Sequence, residues 1–297
     1  MVRTFDEYKK IVEDNLLGYM PHIDPLAKTL YDSMAYSLTA GGKRLRPVLL
    51  LASCELAGGD AESVLPYACA MEYIHTYSLI HDDLPAMDDD ELRRGKPTNH
   101  MVYGAGIATL AGDGLLSSAF EIMYRDMYLF FDKKNELKNR VKAAYAISKG
   151  AGVRGMVAGQ TADLEGETKE PNPEFLDFIH MNKTCAMIVG AVTAGQYLGN
   201  ADDEMLKSMT SYAECLGLSF QIADDILDIV GTKEELGKNP GVDEEAGKMT
   251  YPALYGLDES RKRLHDLTEK AVSHLSEIKE DTAFFEKLVR KMETRTK

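Results

Sequence analysis

Phe220-Gln221-Ile222-Ala223-Asp224-Asp225-Ile226-Leu227-Asp228-Ile229-Val230 sets three carboxylates inside an apolar run. Asp224 and Asp228 are four residues apart and Asp225 is three from Asp228, spacings that bring side chains onto one helical face. The flanking Phe220, Ile222, Ile226, Leu227, Ile229 and Val230 predict a partly buried helix. Carboxylates gathered there repel by roughly 4 kcal/mol per pair at an effective dielectric near ~20, against about 1 kcal/mol in a solvated acidic turn. A bound cation removes the larger penalty. Taken alone, the segment admits either environment.

Working outward, helical periodicity dominates the chain. Phe5, Tyr8, Ile11, Val12 and Leu16 recur at spacings of three and four. Pro47 opens a run from Val48 to Leu56, closed by Gly58-Gly59. Further helices are predicted over Ala61 to Asp83, Leu110 to Phe131, Val141 to Leu164, Glu174 to Leu198 and Asp202 to Val230. Leu264, Leu267, Ala271, Leu275 and Ile278 continue the pattern, and Phe284, Phe285, Leu288 and Met292 lie on a last helix. Alternating strand patterns are almost absent. Several helices are apolar nearly all round, which places them inside a large bundle. No low-complexity linker divides the chain, so residues 1–297 are expected to form a single all-α domain. Two loops, Pro85 to Tyr103 and Gly231 to Pro252, each follow an aspartate cluster, and loops carry function more often than cores do.

With 48 acidic and 34 basic residues the formal charge is −14, which argues against a nucleic-acid binder. Cys54, Cys69, Cys185 and Cys215 form neither a CxxC pair nor a zinc pattern and are expected as reduced core residues. The polar start, Met1 to Lys10, has no signal-peptide core, and no apolar run approaches the roughly 18 residues of a membrane span. A cytoplasmic protein is expected.

The other acidic cluster is His81-Asp82-Asp83-Leu84-Pro85-Ala86-Met87-Asp88-Asp89-Asp90. Pro85 breaks the helix, leaving Asp82 and Asp83 near its negative end, an unfavourable place for anions without a cation. Asp88 to Asp90 then lie in a loop able to fold back toward the same ion. Oxygen-only donors of this kind suit Mg²⁺, which often bridges carboxylates and phosphates. A diphosphate needs cations on so acidic a protein. Gly41-Gly42-Lys43-Arg44-Leu45-Arg46-Pro47 offers three before a helix N-terminus, and Arg93-Arg94 follows the first cluster. Lys183, Lys238 and Lys248 are further candidates. His75, seven residues before Asp82, shares its helical face and could donate to a phosphate.

Together these stretches resemble the trans-polyprenyl (isoprenoid) diphosphate synthase family across essentially the whole chain. Gly159-Gln160, Asp163-Leu164, Lys183-Thr184, Gly237-Lys238 and Lys248-Met249-Thr250-Tyr251-Pro252 add to the two acidic motifs. The resemblance implies an isoprenoid-synthase helical bundle around a central apolar cavity, usually a homodimer. It implies three Mg²⁺ per active site, held by Asp82 and Asp88 on one side and Asp224 on the other, with Asp83, Asp225 and Asp228 supporting or sharing that role. Arg93, Lys183 and Lys238 would touch the allylic diphosphate. Gly42, Lys43, Arg46, His75 and Arg94 would serve isopentenyl diphosphate, with Lys248 a further contact. Thr184 and Gln221 would place oxygens near the developing carbocation.

The same resemblance gives Tyr77 and Ser78 a part in setting the hydrocarbon pocket floor. A large residue at 77 with a small one at 78 resembles the farnesyl (C15) type, with the geranylgeranyl (C20) type as the alternative. The final helix is less aromatic than the family's, which leaves open whether it closes the site. Terpene cyclases lack the Asp224-Asp225-Ile226-Leu227-Asp228 form of the second motif. An HD-type phosphohydrolase would use His81-Asp82 but leave that motif unexplained. A non-catalytic partner subunit would tend to lose acidic motifs that are intact here.

Overall fold

The computed structural model describes residues 3–22, 24–166, 169–170, 172–231 and 249–294. Helices α1 (Phe5–Asn15), α2 (Lys28–Leu38), α3 (Leu45–Leu56) and α4 (Leu65–Asp82) are followed by a hairpin of β1 (Leu92–Arg93) and β2 (Lys96–Pro97). Then come α5 (Asn99–Tyr103), α6 (Ala105–Tyr128), α7 (Lys134–Ala151), α8 (Met156–Gly166) and α9 (Pro173–Ile179). A π-helical turn at His180–Cys185 leads into α10 (Ala186–Leu198), and α11 (Asp203–Val230) follows. The described chain ends with α12 (Tyr251–Tyr255), α13 (Leu257–Leu275) and α14 (Ala283–Glu293). The all-α expectation holds.

α3, α4 and α10 form the centre. Their sequences are apolar nearly all round, and α4 accordingly buries Tyr67, Cys69, Met71, Tyr73 and Ile74 on successive sides. α4 packs on α6 and α3; α10 packs on α7, α3 and α11; α13 and α14 cover α11. The outer helices are amphipathic and turn one face inward. All four cysteines are buried and free, as small core residues.

Several boundaries differ from the sequence expectation. The segment from Val141 to Leu164 is two helices, because the chain turns extended at Gly152 and restarts at Met156. The run from Ala61 opens with a 3-10 turn, Glu62–Val64, before Pro66 takes a first-turn place in α4. Pro47 also lies in a first turn, since α3 already begins at Leu45. α2 and the hairpin were not anticipated, although Leu30, Met34 and Leu38 recur at helical spacing along α2. The loop after the first aspartates is therefore partly ordered structure.

Candidate functional site

The first cluster is built by a helix that stops and a chain that doubles back. Asp82 ends α4, and Asp83 caps it with its N–H on the Leu79 carbonyl at 3.1 Å. Beyond Pro85, Met87 donates to the Leu84 carbonyl at 2.8 Å and Asp88 to the Asp82 carbonyl at 2.9 Å. That last bond sets Asp88 beside Asp82. The Thr98 hydroxyl donates to the Asp90 carbonyl at 2.7 Å, and buried Asn99 donates to Ser33 O at 2.9 Å and Ser37 Oγ at 2.8 Å, tying the loop to α2. Arg93, on the hairpin, reaches back to Asp83 with Nη2 at 2.5 Å from Oδ1. Burial pushes the Asp82 carboxyl up to about 6; Lys183 pulls it down and Asp88 adds to the rise. Burial also raises Asp83, against the hydrogen bond and charge of Arg93.

The second cluster occupies the last two turns of α11, again a helix's negative end. Asp225 and Asp228 are each 3% exposed. Asp225 accepts from Gln221 Nε2 at 3.1 Å and from the Tyr251 N–H at 3.0 Å, with His180 Nε2 at 3.6 Å. Burial drives His180 down to about 3, so its ring is neutral near pH 7. The Thr184 hydroxyl donates to Gln221 Oε1 at 2.8 Å. Thr184, Gln221, Asp225 and Tyr251 thus form one continuous chain of contacts.

Lys183 and Thr184 sit in the π-helical turn, a device that changes where side chains leave a helix. Gly159 on α8 makes room for it. A Cβ there would run into the Lys183 amide nitrogen and Cα, so only glycine allows this approach. Lys183 Nζ lies 2.5 Å from Asp163 Oδ2 and close enough to Asp82 to lower its carboxyl.

The glycine-rich loop before α3 forms a third group. Gly41 and Gly42 have φ of 89° and 137°. Arg94 donates from Nη1 to the Gly41 carbonyl, and its guanidinium lies 2.7 Å from where a Gly42 Cβ would be. Arg46 Nη1 is 3.4 Å from His75 Nε2, and Lys43 lies 5.8 Å above the Phe220 ring. The expectation of three positive side chains available before the helix needs correction. Arg44 turns inward, 4% exposed, because Glu72 offers it a buried carboxylate 2.5 Å away.

A cavity of about 380 Å³ brings together Asp82 of the first cluster, the π-helical turn and the Arg46–His75 pair; no residue of the second cluster, nor Lys43, Arg93 or Arg94, is in its described lining. Asp82, Lys183, Thr184, Arg46 and His75 line it together with Tyr77, Ser78, Met156 and Leu164. Tyr77 meets His81 edge-on at 5.7 Å, and His81 Nε2 lies 3.0 Å from the Thr109 carbonyl. Gln160, also on the wall, has both amide atoms buried without a partner among the described residues. Lys238 and Lys248 lie outside the described residues. Glu72, Gln160, Asp163 and His180 are site residues that motif reasoning left without a role. The signal for Glu72 was available, as the lone acid between Glu62 and Asp82 in an apolar helix.

Apart from His81, which is turned to the Thr109 carbonyl, every potential metal donor in the two clusters is a carboxylate oxygen, and both clusters are built around helix C-termini. Buried like charges in that field fit a hard divalent cation, although among the described residues no three acids converge on one point. Among the described residues no helix is long and apolar enough to cross a membrane.

Residues 27–284 match the Polyprenyl synthetase family profile. A farnesyl diphosphate synthase of Geobacillus stearothermophilus is 47% identical, over 94% of this chain and 92% of its own length. A geranylgeranyl diphosphate synthase of Cyanophora paradoxa is 48% identical, over 89% of this chain and 86% of its own. The crystal structure of an FPP/GFPP synthase from Zymomonas mobilis superposes with a TM-score of 0.84 at 32% identity, covering 97% of both chains. No relative of the HD phosphohydrolase kind stands among these, and His81 is turned to the Thr109 carbonyl.

Proposed function

The chain belongs to the polyprenyl synthetase family, and on that premise we propose that it condenses isopentenyl diphosphate with dimethylallyl and then geranyl diphosphate to give farnesyl diphosphate. The observation that carries this reading is the doubling back of Asp88 onto Asp82, which lines a mainly apolar cavity together with Lys183 and Thr184. Asp82, Asp83 and Asp88 on one side and Asp224, Asp225 and Asp228 on the other would hold Mg²⁺, three ions in all. When bound, that metal neutralises the charge growing on the leaving diphosphate.

The chain's own groups do the rest. Lys183 and Arg93, with Lys238, bind the allylic diphosphate and gain strength as its negative charge rises, which is differential binding of the transition state. Lys43, Arg46, His75 and Arg94 bind isopentenyl diphosphate without metal, with Lys248 as a further contact and Gly42 leaving space for the approach. His75, held neutral by burial and by Arg46, serves as a hydrogen-bonding group and not as a cation. The hydroxyl of Thr184 and the amide of Gln221 place oxygens by the allylic cation, and the apolar wall keeps water from it. The double bond of isopentenyl diphosphate attacks, and a proton then leaves, with the released diphosphate as its acceptor.

Tyr77 and Ser78 bound the cavity below Asp82, and each helical turn of about 5.4 Å matches one isoprene unit. The large Tyr77 supports a C15 stop, while the Cyanophora relative's name keeps a C20 product in play. A homodimer is supported by exposed apolar side chains on α6, α7 and the turn between them: Tyr124, Tyr128, Leu129, Phe131, Val141 and Tyr145 are each at least half exposed. A cytoplasmic location fits the absence of a spanning helix among the described residues. Incubation with Mg²⁺, isopentenyl diphosphate and each of dimethylallyl, geranyl and farnesyl diphosphate tests the reading. A C15 product from the first two is expected; a C20 product from farnesyl diphosphate would replace the product assignment. Tyr77→Ala should shift output to longer chains, and unchanged C15 output would remove Tyr77 from the argument.

A further inference from the structure

Glu72 stands in the middle of α4, a largely buried helix, and is 1% exposed. An acid there needs a partner, since an unpaired buried charge is strongly unfavourable. Arg44 provides it, donating from Nη1 to Glu72 Oε1 at 2.5 Å. Arg44 is held at two further points, with Nη2 on the Leu38 carbonyl at 2.8 Å and Nε facing Glu13 Oε1 at 3.4 Å. Its backbone is left-handed, φ 54°, a conformation that a side-chain-bearing residue keeps only when its surroundings enforce it.

The neighbours of Arg44 turn the other way. Lys43 is exposed above Phe220, and Arg46 meets His75. His75 lies three residues after Glu72, next to it on the α4 surface. One helix therefore anchors Arg44 and also carries the partner of Arg46. Burial lowers the pKa of Arg46, and Glu72 is the leading charge opposing that. With Arg94 bonded to the Gly41 carbonyl, the loop is gripped from both sides.

We infer that Glu72 is a positioning residue for the metal-free diphosphate site: through Arg44 it fixes the loop of residues 41–46 so that Lys43 and Arg46 present their charges to isopentenyl diphosphate. The identity of that ligand rests on the function proposed above. Glu72 touches no substrate in this scheme; it acts only through Arg44.

Two variants separate this role from simple stability. Arg44→Lys keeps a positive charge but lacks the three-point fork. The double variant Arg44→Met/Glu72→Met removes the buried pair as a unit, a change that often leaves stability intact. Both should raise the KM for isopentenyl diphosphate, and its calorimetric Kd without metal, about tenfold. The KM for the allylic diphosphate and kcat should stay within about twofold of the parent, because the aspartates and Lys183 are untouched. A double variant that melts like the parent and binds isopentenyl diphosphate normally would overturn the inference. So would one in which both KM values and kcat worsen together. A parent protein that makes no longer prenyl diphosphate would overturn the proposed function instead, and the calorimetric comparison would still decide the role of Glu72.

Discussion

The two aspartate clusters look alike in sequence and differ in the structure. Asp82 and Asp88 are joined through the backbone, both residues are partly exposed, and Asp82 lines the cavity. Asp225 is sealed in, receiving an amide from Gln221 and the backbone N–H of Tyr251. In the first cluster only Asp83 is sealed in, against Arg93, while Asp82 and Asp88 stay partly exposed; in the second, Asp225 and Asp228 are both buried and Asp225 is spent on holding helices together. Identical residue types thus divide into ligand-ready and structural according to what the neighbouring chain already satisfies.

The sharpest way to break this contrast is Asp82→Ala. It should lower kcat about a thousandfold, the scale of losing several kcal/mol of charge stabilisation, with no fall in the metal-free thermal midpoint. A variant that keeps a tenth or more of the parent rate would end the ligand-ready reading of this cluster. Next in size is Gly159→Ala, whose methyl collides with the π-helical turn carrying Lys183 and Thr184. Misplacing those groups by about 1 Å should cost roughly a hundredfold in turnover. Steady-state rates on a correctly folded variant, checked by circular dichroism, measure it.

Asp225→Asn should show the opposite balance. It disturbs the hydrogen bonds with Gln221 and the Tyr251 N–H, so stability should fall by about 1–3 kcal/mol, with a smaller activity loss than Asp82→Ala. Urea unfolding of both variants side by side tests the division. If Asp225→Asn abolishes turnover while unfolding like the parent, the two clusters are equivalent after all.

The smallest expected effect is a pH slope. The Asp82 carboxyl is raised to about 6 in the fold from its ordinary 3.8. Between those values the folded state holds a proton that the unfolded state releases, so this group's contribution to metal-free stability is full below the lower value. It is lost as pH rises through the upper one, at no more than about 1.4 kcal/mol per pH unit. Asp82→Asn should flatten that slope in metal-free urea titrations across this range, while Asp225→Asn should leave it in place.

Much of this was legible beforehand. The long apolar runs specified buried helices because a helix with no polar face has nowhere to go but the interior, and the spacing of Asp224, Asp225 and Asp228 needed only helical geometry. Pro85 announced the end of α4. The break at Gly152 was harder to see, since the apolar pattern continues on both sides of it. The inward turn of Arg44 was also out of reach, because three basic residues in one short motif give no sign of which faces the interior.

The sequence by itself determined the helical class, the two acidic clusters and the cations that accompany them, since these follow from local spacing and residue chemistry. Only the tertiary structure decided which of those charges are available. Glu72 claims Arg44, and Tyr251 and Gln221 bond to Asp225. Gly159 admits the turn that carries Lys183. Apart from Gln221 and Asp225, one turn apart on α11, each of these pairs residues far apart in the chain, and burial, which makes an unmet charge costly, is a property of the packed fold and not of any one segment.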